Sequence, residues 1–360
     1  MRENVSGFMD LSSCTWMVRE LGESASCTKL LEDNSLLVGG WDGRIKYWTD
    51  QGDLIWETKT PNRVSSLEVR NDILFSTSGL DVVCIELKTG QHRWSVPLEG
   101  SADVVIATNT CVLAVSSVYD IEHNDFLESA IWAISFEGDV LETHRMDERP
   151  WTLRAFNGGA IAGLGRPRNG YITLDDSGQI LEQNMDWESP TICATNLNEP
   201  VFGLADGSVR SMSGEVIRTM NSAICCLEAH REGFLIADDE GSVEFFESTV
   251  QWAFGGTEVV SLSAGFDVKG TSTCWIARWN GSQGELAVRS ISDGQQIATL
   301  QGHRVHDIDS NKNRVVVVCE NGQVFVWESS LFERRMKQPN QQENDASRSA
   351  MFEKLRSLRK

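Results

Sequence analysis

GGWDGRIKYWTDQGDLIWE, residues 39–57, holds three short apolar segments separated by two turns, Asp42-Gly43 and Gln51-Gly52. Asp-Gly between apolar runs favours a tight hairpin, because the central residues of a type I′ turn need positive φ. The stretch therefore reads as strand, turn, strand, turn, strand. A three-stranded meander of this size buries too little to stand alone in water. Other parts of the chain must complete its core.

The same pattern recurs. ILFSTSGLDVVCIELKTGQHRWSV (73–96), PVFGLADGSVRSMSGEVIRTM (200–220), GFLIADDEGSVEFFESTVQWAF (233–254) and CWIARWNGSQGELAVRSISDGQQIATL (274–300) repeat it, with looser copies at 110–144, which carries an insertion, and 158–183. RVVVVCENGQVFVWE (314–328) is an incomplete last copy, so the series has eight, spaced about 35 to 48 residues apart. A fourth short apolar stretch lies between copies, as at Val64–Val69, Val104–Ala107, Trp151–Phe156, Ile224–Leu227 and Val259–Leu262. Four antiparallel strands in about 40 residues, repeated many times, is the pattern of a β-propeller. One blade cannot bury both its faces, so blades stack radially and the ring closes, which also removes exposed sheet edges. The expected fold is all-β, an eight-bladed β-propeller, with the commoner seven-bladed ring as the alternative. Because the last copy stops after its third strand, TWMVREL (15–21) is expected to supply the missing outer strand and lock the ring.

LQGHRVHDIDSNKNRVVVVCENGQVFVWE (300–328) resembles a WD repeat, with Gly302-His303 at the GH position and Trp327 as the terminal tryptophan. Asn321 replaces the usual turn aspartate, and no other copy has a GH pair. IELKTGQHRWSVPL (85–98) instead resembles a pyrroloquinoline-quinone-type repeat, Thr89-Gly90 followed by Trp94, and Trp56 and Trp252 hold a similar outer-strand place. From about residue 14 to 328 the chain thus resembles the WD-repeat/pyrroloquinoline-quinone-like propeller superfamily, with no single protein matched. That resemblance implies a fold far more than a function.

Composition narrows the functional classes. Hydrophobic residues make up 41% of the 360, enough for a packed core. The longest apolar run noted is 315–319, against the roughly 20 residues of a membrane helix. The N-terminal segment shows no apolar signal core. Nine scattered cysteines without CxxC pairs suit a reducing, cytoplasmic setting. Residues 331–360 carry eight Lys/Arg against four Asp/Glu, whereas the first 330 carry 24 against 48. A body that acidic disfavours direct nucleic-acid contact. The six histidines show no zinc-type spacing, and no hydrolase, P-loop or EF-hand motif is present. The expectation is no catalytic residue, no metal and no cofactor. Cys225-Cys226 resembles the vicinal pair of quinoprotein alcohol dehydrogenases, which are also eight-bladed, so a quinone-dependent dehydrogenase or a small-ligand propeller is the alternative. Against it, side chains adjacent in a strand point to opposite faces, and no Asn/Glu/Asp-rich calcium site is apparent. Two structural thiols are expected.

Loops carry the remaining signal. Those after the second and fourth strands of each blade open on one face, which would hold Trp41, the insertion 118–128, Arg166, Arg168 and Trp279, joined by Arg63, Arg149, Trp151, Trp187 and Arg304. Tryptophan and arginine are enriched at binding hot spots, although Trp41 and Trp279 could equally fill gaps between blades. The organisation expected is a propeller over 1–330, a polar linker over 331–343 and a basic amphipathic helix over 344–360. In the helix, Met351, Phe352, Leu355 and Leu358 share one face, and Arg348, Lys354, Arg356, Arg359 and Lys360 surround it. The function expected is a non-enzymatic protein–protein interaction scaffold that binds a partner on the loop face while the tail docks a second surface.

Overall fold

A computed structural model describes residues 8–122 and 124–337. They form eight radially stacked antiparallel sheets, so the seven-bladed alternative falls. In chain order the blades span 25–59, 67–97, 101–146, 149–187, 191–219, 224–254, 258–301 and 305–328. The middle strands are sandwiched between neighbouring sheets. Leu36–Gly40 and Arg314–Cys319 are buried at every residue, which is why they read as continuous short apolar runs.

Met17–Glu20 completes the eighth blade, antiparallel to Gln323–Glu328 with Met17 opposite Val326 and Glu20 opposite Gln323. Trp16 N donates to Val326 O at 2.8 Å and Leu21 N to Gly322 O at 2.9 Å, extending the ladder at both ends. The N-terminal segment also does something the sequence did not announce. Met9–Asp10 runs parallel to Gln296–Gln301 and gives the seventh blade a fifth strand. One segment thus ties the seventh and eighth blades together.

Seams between blades repeat a small device. Trp56 Nε1 donates to Leu87 O of the next blade at 2.7 Å, Trp94 Nε1 to Phe136 O at 2.9 Å and Trp252 Nε1 to Ile291 O at 2.6 Å. Each indole lies on a turn glycine of that next blade, Gly90, Gly138 or Gly294, where an added Cβ would sit 2.7–2.9 Å from the ring. His144 Nε2 donates to Gly178 O at 2.7 Å on leaving the third blade, and Arg19 Nε to Gly52 O at 2.7 Å where the eighth meets the first. The closing strand therefore brings its own seam bond.

Inner strands carry bulges, as between Ala25 and Cys27 or Ile224 and Cys226. The extra residue breaks the pleat alternation and reaches the next blade. Ser26 Oγ donates to Val64 O at 2.5 Å, and Ser65 Oγ, just ahead of the second blade's inner strand, likewise donates to Ala102 O at 3.1 Å. Cys225 takes the same place, with Sγ 3.4 Å from Ala237 O and 3.8 Å from Val259 O. This corrects the expectation that Cys225 and Cys226 face apart: the bulge breaks the alternation, and both pack against one apolar cluster. The neighbouring Cys226 first, and burial second, raise the Cys225 pKa. All nine cysteines stand as thiols.

At the end of the ring opposite the loop face, the turn Leu11–Cys14 and a helix, Ser329–Met336, cover the seventh and eighth blades. Trp327 Nε1 donates to Leu11 O at 2.9 Å, and Phe332 is fully buried against Phe266 and Trp275. Residues 331–336, read from sequence as linker, therefore belong to a packed helix, begun by Glu328 accepting from Ser330 N. The amphipathic helix expected over 344–360, with Met351, Phe352, Leu355 and Leu358, lies outside the described residues.

Candidate protein-binding face

The loop face gathers its arginines onto aromatic rings. Trp41, at the turn after the second strand of blade one, is 48% exposed. The Arg63 guanidinium sits 4.7 Å from its ring centroid, and the His306 ring is 6.2 Å away on the eighth blade. Burial, and after it the charge of Arg304, lower the His306 pKa. Arg304 lies 4.9 Å from the half-buried Trp279 ring and bonds Glu320 Oε1 at 3.1 Å. Trp279, Arg304, His306, Trp41 and Arg63 make one strip of stacked cations and rings across the closing seam. Such stacking holds guanidinium groups at the surface while leaving their edges free to donate.

A second cluster stands on blades three and four. Arg149 is sandwiched between Phe126, 3.5 Å from its ring centroid, and Trp151, 4.0 Å away. Trp151 is 41% exposed. Burial lowers the Arg149 pKa while Asp103, 3.8 Å distant, opposes the shift. Beside this stack opens a cleft of about 620 Å³, lined in part by Leu127, Pro167 and Ile192. Arg166 stands at its mouth, 3.8 Å from Asp125. Arg168 instead donates through Nε to Glu148 Oε1 at 2.7 Å, and Glu148 is only 2% exposed.

The structure thus brings Trp41 with Arg63, Trp279 with Arg304, and Arg149 with Trp151 and Arg166. Trp187 departs from expectation. It is only 8% exposed, packed 5.5 Å from Tyr171 and 5.2 Å from Phe202, with Gly214 alongside. It is a seam residue and offers no surface to a partner. Sequence reasoning missed Phe126 and His306. The length of the insertion at 118–128 was the available signal for the first, and nothing in the sequence marked the second.

The central channel is polar, and its charges join blades. Lys29 Nζ pairs with Glu68 Oε2 at 2.7 Å, while Asp307 Oδ2 accepts from Thr28 N at 2.9 Å and Asp309 Oδ2 from Leu30 N at 2.7 Å. Burial pushes Asp307 and Glu228 up to about 7. Among the described residues no group of three or more His, Cys, Asp or Glu could hold a metal ion, and no helix is long and apolar enough to cross a membrane.

Comparison with known proteins agrees with this geometry. Residues 294–328 match the family model "WD domain, G-beta repeat", which spans the outer strand of the seventh blade and the three strands of the eighth that follow it. No curated protein matches the chain. Among solved structures, Sqt1 of Saccharomyces cerevisiae is 12% identical with a TM-score of 0.70, covering 88% of this chain and 98% of its own. BamB of Moraxella catarrhalis is 13% identical with a TM-score of 0.64, covering 87% and 99%. The computationally designed protein Ika8 is 17% identical with a TM-score of 0.70, covering 86% and 98%. At these identities the likeness shows the fold. The chain is an eight-bladed β-propeller whose last copy matches the WD-repeat model, with no single protein matched.

Proposed function

We propose that the chain is a non-enzymatic scaffold for protein–protein interaction, working in the cytoplasm and binding a partner across its loop face. The observation that carries the reading is the strip of Trp279, Arg304, His306, Trp41 and Arg63, which runs across three blades with Trp41 exposed and the other four half-buried. Arginine and tryptophan combine contact area with directed donors, which suits a hot spot. WD propellers typically serve as scaffolds without catalysis, and a chain with this fold and this face fits that use. The acidic body would keep nucleic acid off the propeller itself. The tail, through Met351, Phe352, Leu355 and Leu358, would dock a second surface as an amphipathic helix.

The test compares proteins retained from native extract by the full chain, by a Trp41→Ala/Arg63→Ala variant and by a chain lacking residues 338–360. Partners lost to the double variant at unchanged melting temperature support the loop face. Undiminished retention by both altered proteins refutes the proposal.

A further inference from the structure

Arg149 and Arg166 differ from the other arginines around them. Arg168 and Arg145, on the same two blades, each reach a carboxylate oxygen at 2.6–2.7 Å. Arg149 and Arg166 both line the cleft between blades three and four, yet each stands 3.8 Å from its nearest carboxylate, beyond direct hydrogen bonding. Arg149 Nε is buried with no acceptor at all. A guanidinium pressed between two rings and short of acceptors is costly to keep dry, and the cost is offset if a ligand brings the acceptor.

The walls specify the rest of that ligand. The insertion builds a long hairpin, Val112–Asp120 and Asp125–Ile134, that stands Tyr119 and Phe126 edge to face at 5.0 Å beside Trp151. Leu127 and, at the hairpin tip, Ile121 are exposed, the latter by 86%. Clustered exposed apolar side chains of this kind mark contact sites rather than ordinary surface. The cleft volume of about 620 Å³ suits one or two side chains rather than a helix. Asp125 and Asp147 on its rim oppose a bare anion, so a carboxylate must arrive on an apolar anchor.

We propose that this cleft takes an extended segment of a partner protein in which an apolar side chain seats against Trp151 and Phe126 and a carboxylate within two residues of it accepts from Arg149 and Arg166. The inference rests on the scaffold reading and names its recognition chemistry at one place. An aspartate or glutamate side chain and a chain-terminal carboxylate offer the same acceptor.

Two random heptapeptide libraries, one displayed with free carboxyl termini and one with the termini embedded, panned against the full chain distinguish those sources. Enrichment of apolar-plus-acidic pairs in both libraries assigns a side-chain carboxylate. Enrichment in the free-terminus library alone assigns the terminal one. Arg166 is 73% exposed on its side chain, so Arg166→Gln leaves the fold intact, and it should weaken the selected peptides roughly tenfold, the usual loss for a charge-assisted bond. Phe126→Ala should weaken them with Arg166 in place. Selected peptides without carboxylates, peptides indifferent to Arg166→Gln, or no enrichment overturn the proposal. If the cleft fails while Trp41→Ala/Arg63→Ala still loses native partners, the scaffold reading survives without it.

Discussion

Leu21 connects the last blade to the first, and its removal has a calculable consequence. The side chain is fully buried among Met17, Leu36, Val38 and Val324, and its Cδ2 lies where a Cβ on Gly40 would stand. Leu21→Ala leaves a cavity in that seam, for which buried leucines lose about 2–5 kcal/mol. A chain of this length unfolding as one unit gains about 0.7 kcal/mol of unfolding entropy per degree at its midpoint. The midpoint should therefore fall by roughly 3–7 °C. Deleting residues 1–22 also removes Leu11, Cys14 and Met17, all buried. At about 1.5–3 kcal/mol for each large apolar side chain, that loss approaches the whole stability of about 5–15 kcal/mol of a typical protein. The truncated chain should aggregate or lose cooperative melting, with the outer edge of Gln323–Glu328 uncovered. Scanning calorimetry and light scattering read both variants, and Val18→Ala, on the exposed side of the same strand, serves as the control with no shift. A soluble, monomeric truncation melting within about 2 °C of the full chain would refute closure by the N-terminal strand.

Three further outcomes follow from particular contacts. Asp307 has its folded pKa raised by burial from 3.8 to about 7, so its contribution to stability is complete below its ordinary pKa and is lost as pH rises through about 7. The melting temperature should fall between about pH 4 and 7 and level off above that, and Asp307→Asn, which still accepts from Thr28 N, should flatten that fall; an unchanged slope counts against the assignment. Gly281 has positive φ with open space around it, whereas a Cβ on Gly90 would meet the Trp56 ring at 2.7 Å. Gly281→Ala should cost about 1–2 kcal/mol of backbone strain, and Gly90→Ala about 1–3 kcal/mol more from overpacking; equal losses in denaturant titration would dismiss the seam device. Denatured, unreduced protein should alkylate at all nine cysteines, and a mass two hydrogens short at the peptide holding Cys225 and Cys226 would show a disulfide instead.

The blade pattern was legible because each copy repeats one local rule, a turn glycine between apolar runs, and because 314–328 visibly lacks an outer strand. Met9–Asp10 was not, since two residues in parallel pairing carry no periodicity. Phe332 was not, because a single aromatic in a charged stretch reads as linker until a pocket of Phe266 and Trp275 receives it. The inner-strand bulges were equally hidden: nothing in AICCLEA shows that Cys225 is an extra residue, so the alternation rule misplaced its side chain. For the loop face, residue type found the arginines and tryptophans but not their roles. Trp41 and Trp187 are the same residue near strand ends, yet one rests under Arg63 in solvent and the other fills the seam beside Phe202. Only the packing of neighbouring blades separates them.

The loop face as a binding surface is tested most directly by amide hydrogen exchange on the full chain, alone and with the strongest partner it retains from native extract. Slowed exchange should map to the turns 41–43, 60–66, 280–283 and 302–306 across the closing seam. Protection confined to the opposite turns, such as 49–53 and 87–91, or to the channel strands, would contradict it.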